Sequence, residues 1–174
     1  MQETRLKIKV YGDPVLRKKA VQVKQATPAH RDTLKKMAQL MYEASGIGLA
    51  APQVGIVESM IVVDCGCGLY KLINPKVAKK EGSQVLQEGC LSIPGVCIKV
   101  KRARKVLVKA RDEYGNPVDI EAEDLFACVL QHEIEHLKGK LIIDYVSFFD
   151  KLKMADKIRE LKKRAKDARL SESA

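Results

Sequence analysis

The chain has no tryptophan and only three phenylalanines among its 174 residues. Because these few aromatic residues are not clustered with basic ones, the composition argues against a module that binds nucleic acid through stacked bases. No apolar stretch is long enough to cross a bilayer, and the N-terminal sequence MQETRLKIKV lacks the apolar region of a signal peptide. The five cysteines form an odd set without the spacing of a disulfide framework, so we expect a reducing, cytoplasmic setting.

The rest of the composition is that of a basic globular protein. Lysine and arginine number 32 against 22 aspartates and glutamates, which gives a net charge of +10. This surplus favours an acidic partner, and nucleic acid or a ribonucleoprotein is preferred over a membrane. Hydrophobic residues make up 46% and charged residues 31%, proportions typical of a soluble folded chain. We expect a monomer without internal repeats.

The most informative segment is Gln-His-Glu-Ile-Glu-His at residues 131–136. Two histidines four residues apart lie on one face of a helix, so His132 and His136 can reach a single metal ion. Glu133 can then accept a proton from a water molecule activated there, which indicates hydrolysis. Such strings also arise by chance, and a lone helical histidine is often an ordinary core residue. Here a metal would give both rings a partner, because they extend an apolar stripe made of Leu125, Cys128, Val129, His132 and His136.

A catalytic metal site of this kind needs a third protein ligand. Cys90 lies in the sequence Glu-Gly-Cys-Leu-Ser, after a predicted strand, and can present its thiolate at a turn. Cys65 and Cys67 form a second candidate, a Cys-Gly-Cys-Gly loop whose glycines also suit a plain tight turn. Most cysteines outside disulfides are small buried apolar residues, which fits Cys97 and Cys128. The residues alone do not rank Cys90 above Cys65.

The segment Gly-Ile-Gly-Leu-Ala-Ala-Pro-Gln at residues 46–53 forms a third motif. Glycines let a backbone approach a substrate closely, and Gln53 supplies an amide donor that can polarise a carbonyl group. The Gly-x-Gly pattern predicts a phosphate site only weakly, since no further glycine or Gly-Lys-Ser/Thr sequence follows. A turn of small residues packed in the core explains the segment equally well.

Periodicity and turn residues predict the elements around these motifs. Thr27 and Pro28 are typical of a helix start, and Tyr114–Gly–Asn–Pro117 of a hairpin turn. The predicted elements are a helix from Pro28, strands over 60–64 and 69–74, a hairpin of 106–108 and 118–120, the motif helix over 122–138, and a lysine-rich helix from Asp150 to a frayed tail at Leu170. Strands gathered around one central helix indicate an α+β fold.

The three motifs together resemble the peptide deformylase family, which has GxGLAAxQ, EGCLS and QHExDH in this order. The chain has GIGLAAPQ, EGCLS and QHEIEH, and the likeness extends over roughly residues 11–147. The resemblance implies antiparallel sheets packed around the metal-binding helix, and removal of the formyl group from the N-terminal formylmethionine of new polypeptides. It singles out Cys90 as the third ligand beside His132 and His136. It also implies Fe²⁺ as the working metal, although thiolate and imidazole ligands suit Zn²⁺, which can replace it.

The resemblance also implies roles for the surrounding residues. Glu133 would act as the general base and return its proton to the departing amine. The Gln53 side chain and the Leu91 backbone N–H would stabilise the developing oxyanion together with the metal. The residues implied to line the substrate channel and the methionine pocket are Ile47, Gly48, Leu125 and Val129.

Two residues depart from the family pattern. Glu135 stands where an aspartate is usual, and its longer side chain must place the carboxylate differently. Cys97 stands where many members have an arginine that would help to hold a peptide or a neighbouring loop. The grip on the substrate can therefore differ from that of the family.

The basic C-terminal segment suggests that the chain has two parts with different functions. We expect a catalytic domain over residues 1–149 and a basic helix and tail over residues 150–174. Between residues 151 and 170 there are nine basic and three acidic residues, a surplus of six. The resemblance supports a contact with the ribosome through this helix, whereas a plain solvated helix face is the alternative. Its narrow apolar edge is predicted to consist of Leu152, Ala155, Ile158 and Leu161.

Two other functions fit parts of the sequence. A zinc peptidase of the HExxH type would need a downstream ligand, and Glu160 is a poor one because it lies in the lysine-rich segment. A non-catalytic ribosome-binding metalloprotein would need a fourth ligand for a closed metal site, and no motif supplies it. Deformylation is therefore the preferred hypothesis.

Overall fold

The computed structural model of the protein describes residues 6–172. Its helices and strands are α1 (Pro28–Glu43), β1 (Gly48–Ala50), β2 (Met60–Val63), β3 (Tyr70–Glu81), β4 (Gln84–Gly89), β5 (Cys97–Arg102), β6 (Lys105–Arg111), β7 (Pro117–Glu123), α2 (Asp124–His136), α3 (Phe148–Lys153) and α4 (Ala155–Glu172). An antiparallel sheet has the order β1-β2-β3-β6-β7, and β4 pairs with β5 in a separate antiparallel sheet. The predicted α+β fold, with antiparallel sheets around the motif helix and helices at the C-terminus, is confirmed.

The large sheet separates two hydrophobic layers. Successive side chains of a strand point to opposite faces, so a strand buried on both sides reads as a continuous apolar run, as in β2. Ile61 and Val63 face the layer that contains α2, whereas Met60 and Val62 face the layer that contains α1. The motif helix is thereby fixed against the sheet along its apolar side.

Helix α1 begins as the sequence predicts. The Thr27 side chain accepts a hydrogen bond from the backbone N–H of His30, and Pro28 occupies the first turn, where a missing N–H costs nothing. Leu34, Met37 and Met41 are fully buried along one side. The helix ends before Gly46, so the chain can turn directly into β1 and the third motif.

The predicted hairpin of β6 and β7 is confirmed, and Asp112 closes its turn by accepting hydrogen bonds from the backbone of Tyr114 and Asn116. Strand β5 was absent from the sequence prediction, although its side chains alternate regularly between exposed and buried. The motif helix starts at Asp124, two residues later than predicted, because Ala122 and Glu123 complete β7. The sheet pairing with β6 holds these two residues in extended conformation.

The C-terminal segment differs from the prediction of one helix starting at Asp150. Helix α3 already begins at Phe148, capped by Ser147, and the chain leaves helical geometry at Met154 before α4 continues to Glu172. The predicted fraying at Leu170 is therefore wrong, while residues 173–174 lie outside the described part of the chain.

The apolar edge of this segment also needs correction. Leu152 is 57% exposed, because the break at Met154 places it on a different helix from Leu161. Leu161 and Ala165 of α4 are buried, and Leu161 packs in a core cluster with Ile93 and other residues.

The predicted boundary between the catalytic domain and the basic C-terminal segment, between residues 149 and 150, falls inside α3 and stays a prediction. Within residues 6–172, no helix combines the length and apolar character needed to span a membrane.

Candidate metal centre and active site

The three predicted metal ligands meet at one point between the two sheets. His132 and His136 lie one turn apart on α2, and Cys90 directly follows β4 of the small sheet. The Nε2 atoms of the two histidines are 3.1 Å apart, and Cys90 Sγ is 3.3 Å from His136 Nε2. Within the described residues, this is the group of three or more His, Cys, Asp or Glu side chains whose ligand atoms converge, all within 4.8 Å of one another.

The donor set fits a divalent metal ion. A tetrahedral ion with Cys and His bonds of about 2.0–2.3 Å separates its ligand atoms by about 3.3–3.8 Å, close to the distances found here. His136 Nδ1 is buried and has no hydrogen-bond partner within residues 6–172, whereas its Nε2 lies 3.3 Å from Cys90 Sγ and 3.1 Å from His132 Nε2. Burial lowers the pKa of His136 well below its usual value. A neutral imidazole of this kind is the form that binds metal.

Glu88 fixes the orientation of the first histidine. His132 Nδ1 lies 2.8 Å from Glu88 Oε2, so a proton on Nδ1 leaves the Nε2 lone pair pointing towards Cys90 and His136. Burial opposes the charged form of Glu88, but hydrogen bonds from Arg102 and His132 outweigh it and lower the pKa of this carboxyl to about 2. Cys128 also donates to Glu88 Oε1, across 3.1 Å.

Glu133 lies beside the three ligands in a narrow space. A Cβ atom placed on Gly48 would come within 2.9 Å of both Cγ and Cδ of Glu133, so only glycine allows β1 to pass this close to the carboxylate. Glu133 Oε2 is buried and has no hydrogen-bond partner in the described part of the chain. Burial raises the pKa of Glu133 to about 7, the range that suits a proton acceptor at neutral pH.

Gln53 and Leu91 also line the site, and the hydrogen bonds of Gln53 determine which way its amide points. Gln53 is 1% exposed, and its Oε1 accepts a hydrogen bond from the backbone N–H of Ala50. That bond turns Nε2 towards the site, where it donates to Ser92 Oγ at 3.1 Å and lies 3.5 Å from Cys90 Sγ. The amide therefore presents its N–H groups beside Cys90.

A cleft with a volume of about 430 Å³ opens onto this centre. His136 lies behind it, while the other predicted site residues line it: Ile47, Gly48, Gln53, Cys90, Leu91, Leu125, Val129, His132 and Glu133. Leu125 is 50% exposed at the mouth, so it does not belong to the buried stripe of α2. Its place one turn before Val129 gives the cleft an apolar wall instead.

The two departures from the family pattern have different surroundings. Cys97 is exposed and lines the same cleft, opposite Gly89 in the pairing of β4 with β5. Glu135 points away from the cleft and accepts hydrogen bonds from Arg102 Nη1 at 2.7 Å and from the Tyr145 hydroxyl at 2.5 Å. Neither residue replaces a ligand.

Sequence reasoning missed several residues around the site. Glu88 and Ser92 belong to the EGCLS motif and could have been noticed as the polar residues that flank Cys90. Arg102 and Tyr145 lie in no motif, and their approach to Glu88 and Glu135 follows from tertiary structure.

Comparison with known proteins agrees with this geometry. A family model described as "Polypeptide deformylase" matches residues 5–152. The chain is 52% identical over 130 residues to a peptide deformylase of Syntrophomonas wolfei, which covers 75% of this chain and 86% of that protein. It is 50% identical over 145 residues to a peptide deformylase of Caldanaerobacter subterraneus, covering 83% and 91% respectively.

A solved structure leads to the same family. The crystal structure of peptide deformylase from Thermus thermophilus superimposes with a TM-score of 0.86 at 35% identity, covering 91% of this chain and 98% of that one. The family match spans most of the chain, and the relatives are covered over nearly their whole length. The chain therefore belongs to the peptide deformylase family of enzymes.

Proposed function

We propose that this enzyme uses a divalent metal held by Cys90, His132 and His136 to remove the formyl group from N-terminal formylmethionine, releasing formate. The observation that supports the metal is the convergence of three ligand atoms within 4.8 Å of one another. Beside them, the buried carboxylate of Glu133 lies on the wall of a cleft open to a peptide end. This is the arrangement that hydrolysis of an amide by water requires.

A divalent ion bound there would polarise the formyl carbonyl and lower the pKa of the attacking water. Glu133 takes the proton from that water, because its Oε2 has no competing hydrogen bond in the described residues. As the C–N bond breaks, Glu133 gives the proton to the departing amine, which leaves as a free N-terminus. The buried surroundings that raise its pKa make both transfers feasible near neutral pH.

Gln53 and Leu91 stabilise the negative charge that develops on the formyl oxygen. Gln53 is held rigidly by its bonds with Ala50 and Ser92, so its amide needs little reorganisation during the reaction. The backbone N–H of Leu91 directly follows Cys90 on the same wall.

The apolar part of the cleft binds the methionine side chain. Leu125 and Val129 of α2 line this part of the cleft, as do Ile47 and Gly48 at the start of β1. The Gly48 backbone belongs to β1, an edge strand, so it can position the extended peptide through backbone hydrogen bonds. An unbranched thioether adapts well to such irregular walls.

An assay with a formyl-methionyl tripeptide tests the reaction. Glu133→Gln should retain the metal and the fold but lose activity by at least about 100-fold, because the amide has the shape of the carboxylate without its basicity. Glu121→Gln, an exposed change on β7, is the matched control and should leave activity unchanged. Near-normal turnover by Glu133→Gln would exclude Glu133 as the proton acceptor.

The same assay separates the alternatives. A zinc peptidase would cleave internal bonds of an unformylated peptide, and a structural metalloprotein would hydrolyse neither peptide.

We propose Fe²⁺ as the working metal, supported by the family resemblance. Metal analysis of protein purified without oxygen should find iron, and activity should decline in air, because ferrous iron and its thiolate ligand oxidise. An air-stable iron form would contradict this part of the proposal.

We further propose that the C-terminal helices contact the ribosome, where nascent peptides emerge. Only Leu161 and Ala165 of α4 are buried among its described side chains, so a broad basic face is available. Three apolar side chains of α3 are also more than half exposed: Phe148, Phe149 and Leu152. Basic and apolar groups together suit a surface of RNA and protein.

Charge reversal tests this contact without disturbing the core. Lys163→Glu combined with Lys166→Glu should weaken co-sedimentation with ribosomes, and binding of the unchanged protein should fall steeply with added salt. Lys80→Glu combined with Lys101→Glu, exposed positions on β3 and β5, is the matched control. Equal loss in both double variants would show that net charge alone, and not this helix, determines binding.

A further inference from the structure

A continuous set of hydrogen bonds leads from the surface to the metal centre. The Tyr145 hydroxyl donates to Glu135, Arg102 joins Glu135 to Glu88, and His132 donates to Glu88. We propose that Tyr145 is a positioning residue for the metal ligand His132, acting through Glu135, Arg102 and Glu88. The inference rests on the proposed role of His132 as a ligand.

Arg102 is the junction of this network. It is 4% exposed, and its Nε and Nη2 donate to the two oxygens of Glu88 at 2.6 and 2.9 Å. Its Nη1 donates to Glu135 Oε2 at 2.7 Å. A buried guanidinium must keep its partners, because leaving one of its donors unpaired costs more than a neutral hydrogen bond contributes. The two carboxylates therefore hold Arg102 from opposite sides.

Tyr145 holds the outer of these two carboxylates. Its hydroxyl occupies Glu135 Oε1 at 2.5 Å, so Glu135 is fixed at both oxygens, one by Tyr145 and one by Arg102. The Tyr145 ring also covers the guanidinium, with Arg102 Cζ 5.3 Å from the ring centroid, and Lys140 Nζ lies 5.5 Å from the same centroid. The hydroxyl also accepts a hydrogen bond from Arg102 Nη1 at 3.4 Å, so Tyr145 restrains both Glu135 and Arg102.

The effect on the metal follows from the inner half of the network. Arg102 donates to both oxygens of Glu88, and Oε2 also accepts the hydrogen bond from His132, so a shift of Arg102 displaces the acceptor that orients His132. Without the Tyr145 hydroxyl, the Glu135 side chain, which is 19% exposed, can turn towards water. The Arg102 guanidinium then has no fixed acceptor for Nη1 and can shift. As a result, Glu88 no longer holds the His132 imidazole in one orientation.

Tyr145 does not line the substrate cleft, so its effect should differ from that of a substrate-binding residue. Tyr145→Phe removes the hydroxyl and keeps the ring over Arg102. We expect Co²⁺-loaded protein of this variant to lose its metal to EDTA about 10-fold faster, within the usual range for groups that support a ligand. The visible spectrum of bound Co²⁺ should shift, and the KM for a formyl-methionyl peptide should stay the same.

Matched variants distinguish positioning from a general loss of stability. Tyr114→Phe removes a hydroxyl from an exposed tyrosine in the turn between β6 and β7 and should release Co²⁺ at the unchanged rate. Glu135→Gln should accelerate release like Tyr145→Phe, and the double variant should be no faster than the faster single one, because both act on one path. Glu135→Asp keeps the charge but shortens the reach, so it should also accelerate release.

Two results would overturn the inference. One is release of Co²⁺ from Tyr145→Phe at the rate of the unchanged protein, and the other is full additivity with Glu135→Gln. Either result leaves the proposed function intact if the unchanged protein retains metal and deformylates. An unchanged protein that binds no metal would instead contradict the proposed function itself.

Discussion

Helices α2 and α4 differ in whether their polar residues are buried or exposed to solvent. Of the 13 residues of α2, nine are buried, including Gln131, His132, Glu133 and His136. Helix α4 has 18 residues, of which Leu161 and Ala165 are buried, while all its basic residues except Lys157 are exposed. A buried polar residue must find a partner, so each one on α2 limits what its neighbours can be. A solvated residue on α4 imposes no such limit.

The family match follows the same division. It ends at residue 152, before α4 begins. The site depends on α2 being fixed between the sheets, whereas α4 needs only enough apolar contact to stay attached through the cluster around Leu161. Substitutions on α2 and its ligand partner should therefore change chemistry, and substitutions on α4 should change stability or association.

Removing the thiolate that completes the α2 site should have the largest effect. Cys90→Ala leaves two histidines, too few for tight binding of a divalent ion, so metal content should fall to near background and activity by more than about 100-fold. Cys65→Ala and Cys97→Ser are matched controls that should keep the metal. If Cys65→Ala strips the metal instead, the ligand assignment is wrong. Metal analysis after dialysis measures the outcome.

A substitution at one of the two buried positions of α4 should have an intermediate effect, on stability. Leu161→Ala empties a fully buried position and should lower the free energy of unfolding by about 2–5 kcal/mol. Leu152→Ala, at a position that is 57% exposed, should change it by less than about 0.5 kcal/mol. Urea unfolding of the two metal-loaded variants compares them directly. Similar losses in both would mean that α3 is packed more tightly than its exposure indicates.

The smallest effect should come from a charged residue on the solvated face of α4. The Glu160 carboxylate is 52% exposed and pairs with Lys157 Nζ at 3.0 Å, an arrangement that contributes little to stability. Glu160→Gln should change the free energy of unfolding by less than about 0.5 kcal/mol and leave metal content and deformylase activity unaltered. Loss of metal in this variant would revive the zinc peptidase hypothesis, in which Glu160 is a ligand.

The contrast between the helices also explains what could be predicted from the sequence. The spacing of His132 and His136 places both rings on one face through helical periodicity alone, a local property. The choice between Cys90 and Cys65 depends on which loop packs against α2, and that is decided by sheet pairing far away in the sequence. Local patterns do not contain that information.

The same limit accounts for the errors. Periodicity places Leu152 on the apolar edge of α4 because it assumes one continuous helix, and the break at Met154 invalidates that assumption. The hydrogen bonds of Arg102 join residues 14 and 33 positions apart, and neither spacing belongs to a regular element. By contrast, Thr27 and Pro28 marked a helix start correctly because a cap is made within one turn.

The placement of Cys90 after the small β4–β5 sheet, and of both histidines on a helix packed on the large sheet, has a consequence for the lifetime of the chain in the cell. An ion bound by all three would join parts that are 42 and 46 residues apart, and it would favour only the folded chain. Free metal at about 100 times its dissociation constant adds roughly 2.7 kcal/mol to the stability of such a protein. Metal starvation would then remove not only activity but also protection from proteases, so metal supply would set how much of this enzyme accumulates.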